Sequence, residues 1–296
     1  MRRHPNLETP MNKHRVTRRS ALKTAGALAL VSTALPAVHS ESPAKPNGNL
    51  KQSVCRWCYG RIPLEELASE IKKLGYLSLE LLVPDEYKRV KPLGITCALL
   101  GGADIGNGLN RKENHPRILK RLHDYIEFAA AEGIPGVITM SGNRRGLPDD
   151  EGMKVCVEGL KQIVGFAEEK KVNVIMEGLN SKVDHKDYMY DKTEWGVELC
   201  KKVGSPRFKL LYDIYHMQIM EGDVIRTIKK NHEYIAHYHT GGNPGRHEID
   251  ETQELNYTAI SKAIVATKFD GFMAQEFLPL RKPYESLAQA FKICDV

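Results

Sequence analysis

The stretch FKLLYDIYH, Phe208–His216, runs from an apolar pair, Leu210–Leu211, to a carboxylate, Asp213, with His216 three residues on. A short apolar run bounded by turn signals reads as a buried strand. Gly204-Ser205-Pro206 supplies the turn before it. A buried strand gains nothing by ending on a carboxylate, because desolvating that charge is costly unless it is paired or bound to a metal.

Working outward, the same unit recurs. Strands are predicted at Ser53–Tyr59, Leu77–Val83, Ile95–Leu100, Val137–Ser141, Val172–Glu177, Phe208–Asp213, Tyr234–His239 and Gly271–Glu276. Helices are predicted at Pro63–Leu74, His115–Glu132, Asp150–Lys171, Lys192–Val203, Ile219–Asn231, Asn256–Thr267 and Pro283–Ile293, with a short one at Asp85–Val90. In His115–Glu132 the apolar residues Ile118, Leu122 and Ile126 fall three or four apart and the run stops at Gly133. Strand and helix in strict alternation predict parallel strands with crossover helices. Eight such units over about 250 residues fit an α/β fold of the (β/α)8 TIM-barrel type. The alternative is an open doubly wound sheet, but no GxGxxG opens the first helix. Gly101–Gly108 lacks the GK[ST] ending of a phosphate loop. It reads as a long loop after the third strand, at the barrel face where sites are built.

Composition bounds the partners. Of 43 basic and 37 acidic residues, seven and one fall in the first forty positions, leaving 36 of each in the body. The net charge of +6 therefore belongs to the leader. A neutral body lacks the basic footprint of a nucleic-acid binder. The leader, residues 1–40, carries Thr17-Arg18-Arg19-Ser20, a modest apolar run Ala25–Val38, and Val38 and Ser40 at a loosely fitting cleavage site. This is a twin-arginine pattern and predicts a periplasmic or otherwise exported protein, or a cytoplasmic one if the leader goes unused. The run is too short to remain as a membrane span, and no later segment approaches one. Residues 41–50, ESPAKPNGNL, read as a linker and 51–296 as the single barrel domain. A homo-oligomer is compatible with this composition.

Six cysteines are present, with Cys55-Arg56-Trp57-Cys58 forming one CxxC. A redox or zinc site of this kind needs the pair at a helix start or a second pair. Here it lies in a strand-like run, which favours buried or pocket-lining thiols.

Three further strand-like runs in the C-terminal half also carry a ligand-type residue near their ends. Glu177 stands in VIMEG, Asp213 in LLYDIYH, His239 in HYHTGG and Glu276 in MAQEF. On consecutive strands these would meet on one arc of a barrel mouth. Three carboxylates and one imidazole make a hard, oxygen-rich site, which favours Mn²⁺ or Mg²⁺, with Co²⁺ or Zn²⁺ compatible.

The segments MEGLNSKVDH, LLYDIYHMQIMEGD, GNPGRHEIDETQELNY and AQEF resemble the hydroxypyruvate isomerase group of the xylose-isomerase-like TIM barrels, sugar isomerases and epimerases, over roughly residues 52–296. The resemblance implies that Glu177, Asp213, His239 and Glu276 bind a divalent metal, that Glu177 and Glu276 also move protons, and that His216 and Arg246 contact substrate. One position departs: the bacterial hydroxypyruvate isomerases carry Gln where His239 stands, whereas ketose 3-epimerases carry His. The implied reaction is a metal-dependent isomerisation through an enediolate, with hydroxypyruvate to tartronate semialdehyde as its specific form. A ketose 3-epimerase, or a periplasmic 3-keto-glycoside lyase, would use the same site. An exported metal-containing sugar-binding protein is the non-enzymatic alternative, and retention of both glutamates argues against it. DNA repair of the endonuclease-IV kind shares the broad fold, but the neutral body and export leader argue against it.

The chemistry stands on its own terms. Removing a proton beside a carbonyl needs a carboxylate base, a group to return the proton, and a cation to stabilise the developing charge. Arg246 offers a fork suited to a carboxylate or a hydroxyl pair. Among the neighbours, alternation points Glu80 inward, either to order the metal site or to pair with Arg56. His237 shares its parity with His239 one layer deeper and reads as a hydrogen-bonded core histidine rather than a ligand. Glu248 follows Arg246 and either orients it or is solvated. Trp57, Tyr59 and Trp195 either wall an apolar pocket or pack in the core.

Overall fold

The computed structural model describes residues 47–296; the expected twin-arginine leader, residues 1–40, and residues 41–46 of the expected linker lie outside them. Strand β1 (Lys51–Cys55) is followed by α1 (Leu64–Lys73), β2 (Ser78–Glu80), α2 (Pro84–Val90), α3 (His115–Glu132), β3 (Gly136–Thr139), α4 (Asp149–Lys161) and α5 (Val164–Lys170). Then come β4 (Asn173–Glu177), α6 (Thr193–Val203), β5 (Phe208–Asp213), α7 (Ile214–Met220), α8 (Val224–Asn231), β6 (Ile235–Thr240), α9 (Tyr257–Ala266), β7 (Phe272–Gln275) and α10 (Pro283–Cys294). The strands are parallel, in the order β2-β1-β7-β6-β5-β4-β3.

The expected third strand, Ile95–Leu100, closes the ring between the two edges without forming a regular ladder. Isolated parallel bridges join Ser78 to Thr96, Leu82 to Leu100 and Leu100 to Val137. Leu79 N donates to Thr96 O, and Ile138 N to Leu100 O. The ladder breaks where the Ala98 N–H turns to the Ser78 hydroxyl, and Leu81 adopts a left-handed φ of 59°. The architecture is the TIM barrel, with seven regular strands and one bridging segment among the described residues.

Other boundaries moved for local reasons. β1 stops at Cys55, and Arg56–Tyr59 winds into a 3-10 turn over the barrel mouth. The helix expected at Asp150–Lys171 divides at Gln162-Ile163, where its last turn tightens to i→i+3 bonds from Gln162 and Ile163. The helix expected from Ile219 instead starts at Ile214, because the Asp213 side chain accepts the His216 N–H and caps it. Gly222, with φ 65°, separates it from α8. At the other end of the barrel, Asn47 N and Gly48 N donate to the Asp295 carboxylate, and the Asn49 amide to Val296 O. The described part of the linker is thus fastened to the C-terminus.

The loop Gly101–Gly108 lies at the C-terminal face as expected, and glycine is required at both ends of it. A Cβ on Gly101 would strike the Leu81 carbonyl, and one on Gly108 would strike the backbone of Ser141 and Gly142.

Candidate active site

Glu177 and Asp213 end β4 and β5, His239 is the penultimate residue of β6, and Glu276 directly follows β7. The level at which they meet is set by a register shift. β5 pairs Leu210 with Ile235 but Leu211 with His237, so the pairing skips Ala236. Asp213 therefore stands opposite His239 rather than Tyr238. One ligand atom from each of Glu177, Asp213, His239 and Glu276 lies within 4.8 Å of the others, and all four residues are buried.

His239 is held on both sides. Its Nδ1 faces Glu276 Oε2 at 2.8 Å and Glu177 Oε1 at 3.2 Å. Its Nε2 faces Glu80 Oε1 at 3.0 Å. The same Glu80 oxygen meets His237 Nε2 at 2.8 Å. Glu80 thus pairs with two histidines, while Arg56 donates to Tyr59 O. Burial opposes ionisation of Glu80, but His237 and His239 outweigh it and hold the carboxyl down to about 2. Burial alone would favour a neutral His239; Cys55 and the Glu276 carboxylate reverse this and push the ring well above the usual range.

Glu276 accepts from the Trp57 indole N–H at 2.6 Å through Oε1 and from Arg246 at 2.5 Å through Oε2. Burial would raise its carboxyl, yet Arg246 and His239 hold it well below the usual range. Asp213 goes the other way: burial pushes it up, more than Arg246 pulls it down. Trp57 is half-exposed over the mouth rather than packed in the core. Arg246 lies between the Trp57 and Tyr215 rings, 5.1 and 5.2 Å from their centroids. Its guanidinium also reaches Asp213 Oδ2 at 3.2 Å, so it spans two carboxylates rather than standing free. Tyr257 fastens the Arg246 loop by bonding both the N–H and the carbonyl of Gly241.

His216 is fully buried. Asn180, which the motif reading passed over, fixes its tautomer. The Asn180 Oδ1 accepts the N–H groups of Val183 and Asp184, so its amide nitrogen must face the other way. That nitrogen donates to Asp184 Oδ2 and to His216 Nδ1 at 2.6 Å. An accepting Nδ1 puts the proton on Nε2, and Nε2 has no partner. His216 lines the cavity with this donor in no hydrogen bond, Asp213 Oδ2 lying 3.7 Å away. Burial, reinforced by Arg246, keeps this ring well below the usual histidine range.

Glu248 does not reach Arg246. Its Oε1 accepts from the backbone N–H groups of Leu280 and Arg281 and from the Ser286 hydroxyl, which fixes the loop after β7. Trp195 stacks on Tyr190 away from the site, and Tyr59 packs edge-on against Phe277. All six cysteines are free; Cys55 is buried 3.6 Å from His239 Nε2.

Three buried carboxylates face one guanidinium and the His239 ring, and Glu177 Oε1, 3.2 Å from His239 Nδ1, makes no aligned hydrogen bond. Such a cluster is costly unless a cation completes it. Three carboxylate oxygens and one imidazole nitrogen suit a hard divalent ion. The donor set, its burial and its mutual distances fit that group. Above it lies a cavity of about 380 Å³ lined by Glu177, His185, His216, Arg246, Glu276 and Trp57 on one side.

The family model for the xylose isomerase-like TIM barrel matches residues 85–294, and the chain belongs to that family. A 2-oxo-tetronate isomerase of Cupriavidus necator is 28% identical over 69% of this chain and 83% of its own length. A putative hydroxypyruvate isomerase of Homo sapiens is 26% identical over 56% of this chain and 62% of its own length, under two thirds of that protein. Among solved structures, an AP endonuclease, family 2, from Brucella melitensis superposes with TM-score 0.72 at 22% identity, covering 83% of this chain and 98% of its own. The E. coli 3-keto-D-glucoside 4-epimerase YcjR gives 0.71 at 20%, covering 82% and 98%. The IOLI protein, solved with a zinc atom, gives 0.63 at 17%, covering 83% and 95%.

Proposed function

We propose that this protein is a divalent-metal-dependent sugar isomerase or epimerase that moves a proton at carbon beside a carbonyl. The observation that carries the reading is the convergence of Glu177, Asp213, His239 and Glu276 within 4.8 Å beneath a cavity. Those four residues would hold the ion, which supplies Lewis acidity to a substrate carbonyl and hydroxyl.

The chain's own groups divide the remaining work. Glu177 lines the cavity and its Oε1 is held by no aligned hydrogen bond, so it takes the proton from carbon. Glu276 comes from a different strand end and is held ionised by Trp57, Arg246 and His239. It serves the other carbon or the other face. His216 donates its Nε2 proton to a substrate oxygen, and Asn180 keeps that proton on Nε2.

The relatives' names support hydroxypyruvate to tartronate semialdehyde as the specific reaction. His239 supports ketose epimerisation instead, since the resemblance places histidine there in 3-epimerases. Export through the leader and an ion of the Mn²⁺ or Mg²⁺ kind belong to the same proposal; zinc in the IOLI relative keeps Zn²⁺ within it.

Deuterium incorporation from solvent into hydroxypyruvate and ketoses, with Mn²⁺ present, tests the reading. Glu177→Gln and Glu276→Gln should each lower exchange by about 10²-fold or more. Metal content should fall only in part. Full exchange in both variants would remove these residues from the chemistry. Fractionation of cells carrying an Arg18→Lys/Arg19→Lys leader tests export.

A further inference from the structure

The cavity is chemically two-sided. Apart from the Trp57 indole, whose N–H is given to Glu276, the lining side chains that can bond a substrate oxygen come from the arc between β4 and the loop after β7: Glu177, His185, His216, Arg246 and Glu276. The facing wall is built by Leu81, Ala103, Ile105, Ile138, Met140 and Leu179, together with Gly101 and Gly102. Apart from the Met140 thioether, which accepts from the Tyr188 hydroxyl, none of those side chains carries a hydrogen-bonding atom.

Part of the backbone of that wall, at Gly101, Ile138 and Met140, is also spent. Arg121, reaching in from α3 behind it, donates to Gly101 O at 3.1 Å and to Ile138 O at 2.7 Å. Leu109 N takes Met140 O, and Gly101 N donates to Leu82 O. A sugar hydroxyl pressed against these side chains would give up water for little in return, which is unfavourable. Carbon pressed there would gain.

Charge leads to the same conclusion. Arg246 is the one permanently charged cation among the residues lining the cavity, and it is already paired with Asp213 and Glu276. A carboxylate on the substrate would find no free cation on the apolar side. The wall also opens outward, since Ile105 is 37% and Trp57 45% exposed at the rim. A substituent longer than the cavity could pass between them.

We propose that the substrate is an uncharged keto sugar bearing an apolar substituent, with its hydroxy-carbonyl end at the four-residue cluster and its substituent against the Leu81–Ile138–Met140 wall. This rests on the isomerase–epimerase reading and narrows it away from a three-carbon acid.

The test is solvent-deuterium exchange and turnover by the Mn²⁺-loaded protein. The probes are phenyl 3-keto-glucoside, methyl 3-keto-glucoside, an unsubstituted ketohexose and hydroxypyruvate. The expected result is kcat/KM at least about tenfold higher for the phenyl than for the methyl compound. Both should exceed hydroxypyruvate. Ala103→Asp should lower the phenyl-to-methyl ratio. Equal rates for phenyl and methyl compounds, or a preference for hydroxypyruvate or the plain ketose, would overturn the substrate assignment and leave the enzyme reading standing. No exchange with any probe would overturn both.

Discussion

Glu80→Gln removes one charge from the inside of the barrel and almost no volume. Glu80 is fully buried, and a single oxygen, Oε1, serves both His237 and His239, while Oε2 has no partner. Its service to the proposed metal site is to hold His239 by Nε2, which leaves Nδ1 facing Glu177 and Glu276. Glutamine can keep a carbonyl oxygen in place, so the geometry survives and the charge does not. A hydrogen bond to a charged group is worth about 1.5–3 kcal/mol and a neutral one about 0.5–1.5. The bond to His239 therefore weakens by about 1–1.5 kcal/mol, close to tenfold in affinity. That sits at the lower edge of the roughly 10–100-fold losses that follow removal of a ligand's supporting partner.

The assay is calorimetric titration of metal-free protein with Mn²⁺ over a series of rising pH values, compared on the plateau where affinity no longer changes with pH. Thermal unfolding of the metal-free variant checks the fold. His239→Ala, which deletes a ligand outright, should lose more. A Glu80→Gln protein that binds Mn²⁺ within about twofold of the parent, while His239→Ala binds far more weakly, would refute the positioning role.

The remaining predictions concern protons, tautomers and packing. The Glu276 carboxylate pushes the His239 ring towards its protonated form against the effect of its burial, so a bound metal would compete with that proton. Affinity should rise about tenfold per pH unit until the metal-free ring deprotonates and level off beyond it, with proton release seen by calorimetry in buffers of different ionisation heat. Asn180→Asp would set an acceptor against His216 Nδ1 and move the proton off Nε2; kcat should fall by about 10²–10⁴ with a smaller change in KM, and ¹⁵N shifts of the ring should report the other tautomer. Gly108→Ala would push a methyl into the Ser141–Gly142 backbone and should cost about 1–3 kcal/mol in denaturant unfolding.

What could be read from the chain alone was whatever repeats over a few residues. The alternation of strands with helices, the span of His115–Glu132, the placing of Glu177, Asp213, His239 and Glu276 at strand ends, and the loop at Gly101–Gly108 all follow from local periodicity and turn chemistry. Boundaries failed where one side chain redirected the backbone, as when Asp213 capped α7 or the Ser78 hydroxyl took the Ala98 N–H.

Partner choice was out of reach, because it depends on residues distant in sequence. Glu80 and Glu248 were both open questions: the barrel gave Glu80 two histidines more than 150 positions away, and gave Glu248 the backbone of Leu280 and Arg281 instead of Arg246. Asn180 showed no sign of its role until α7 brought His216 against it. The one-residue shift at Ala236 is the sharpest case. Side chains alternate with period two along a strand, so only the pairing of β5 with β6 decided that Asp213 faces His239.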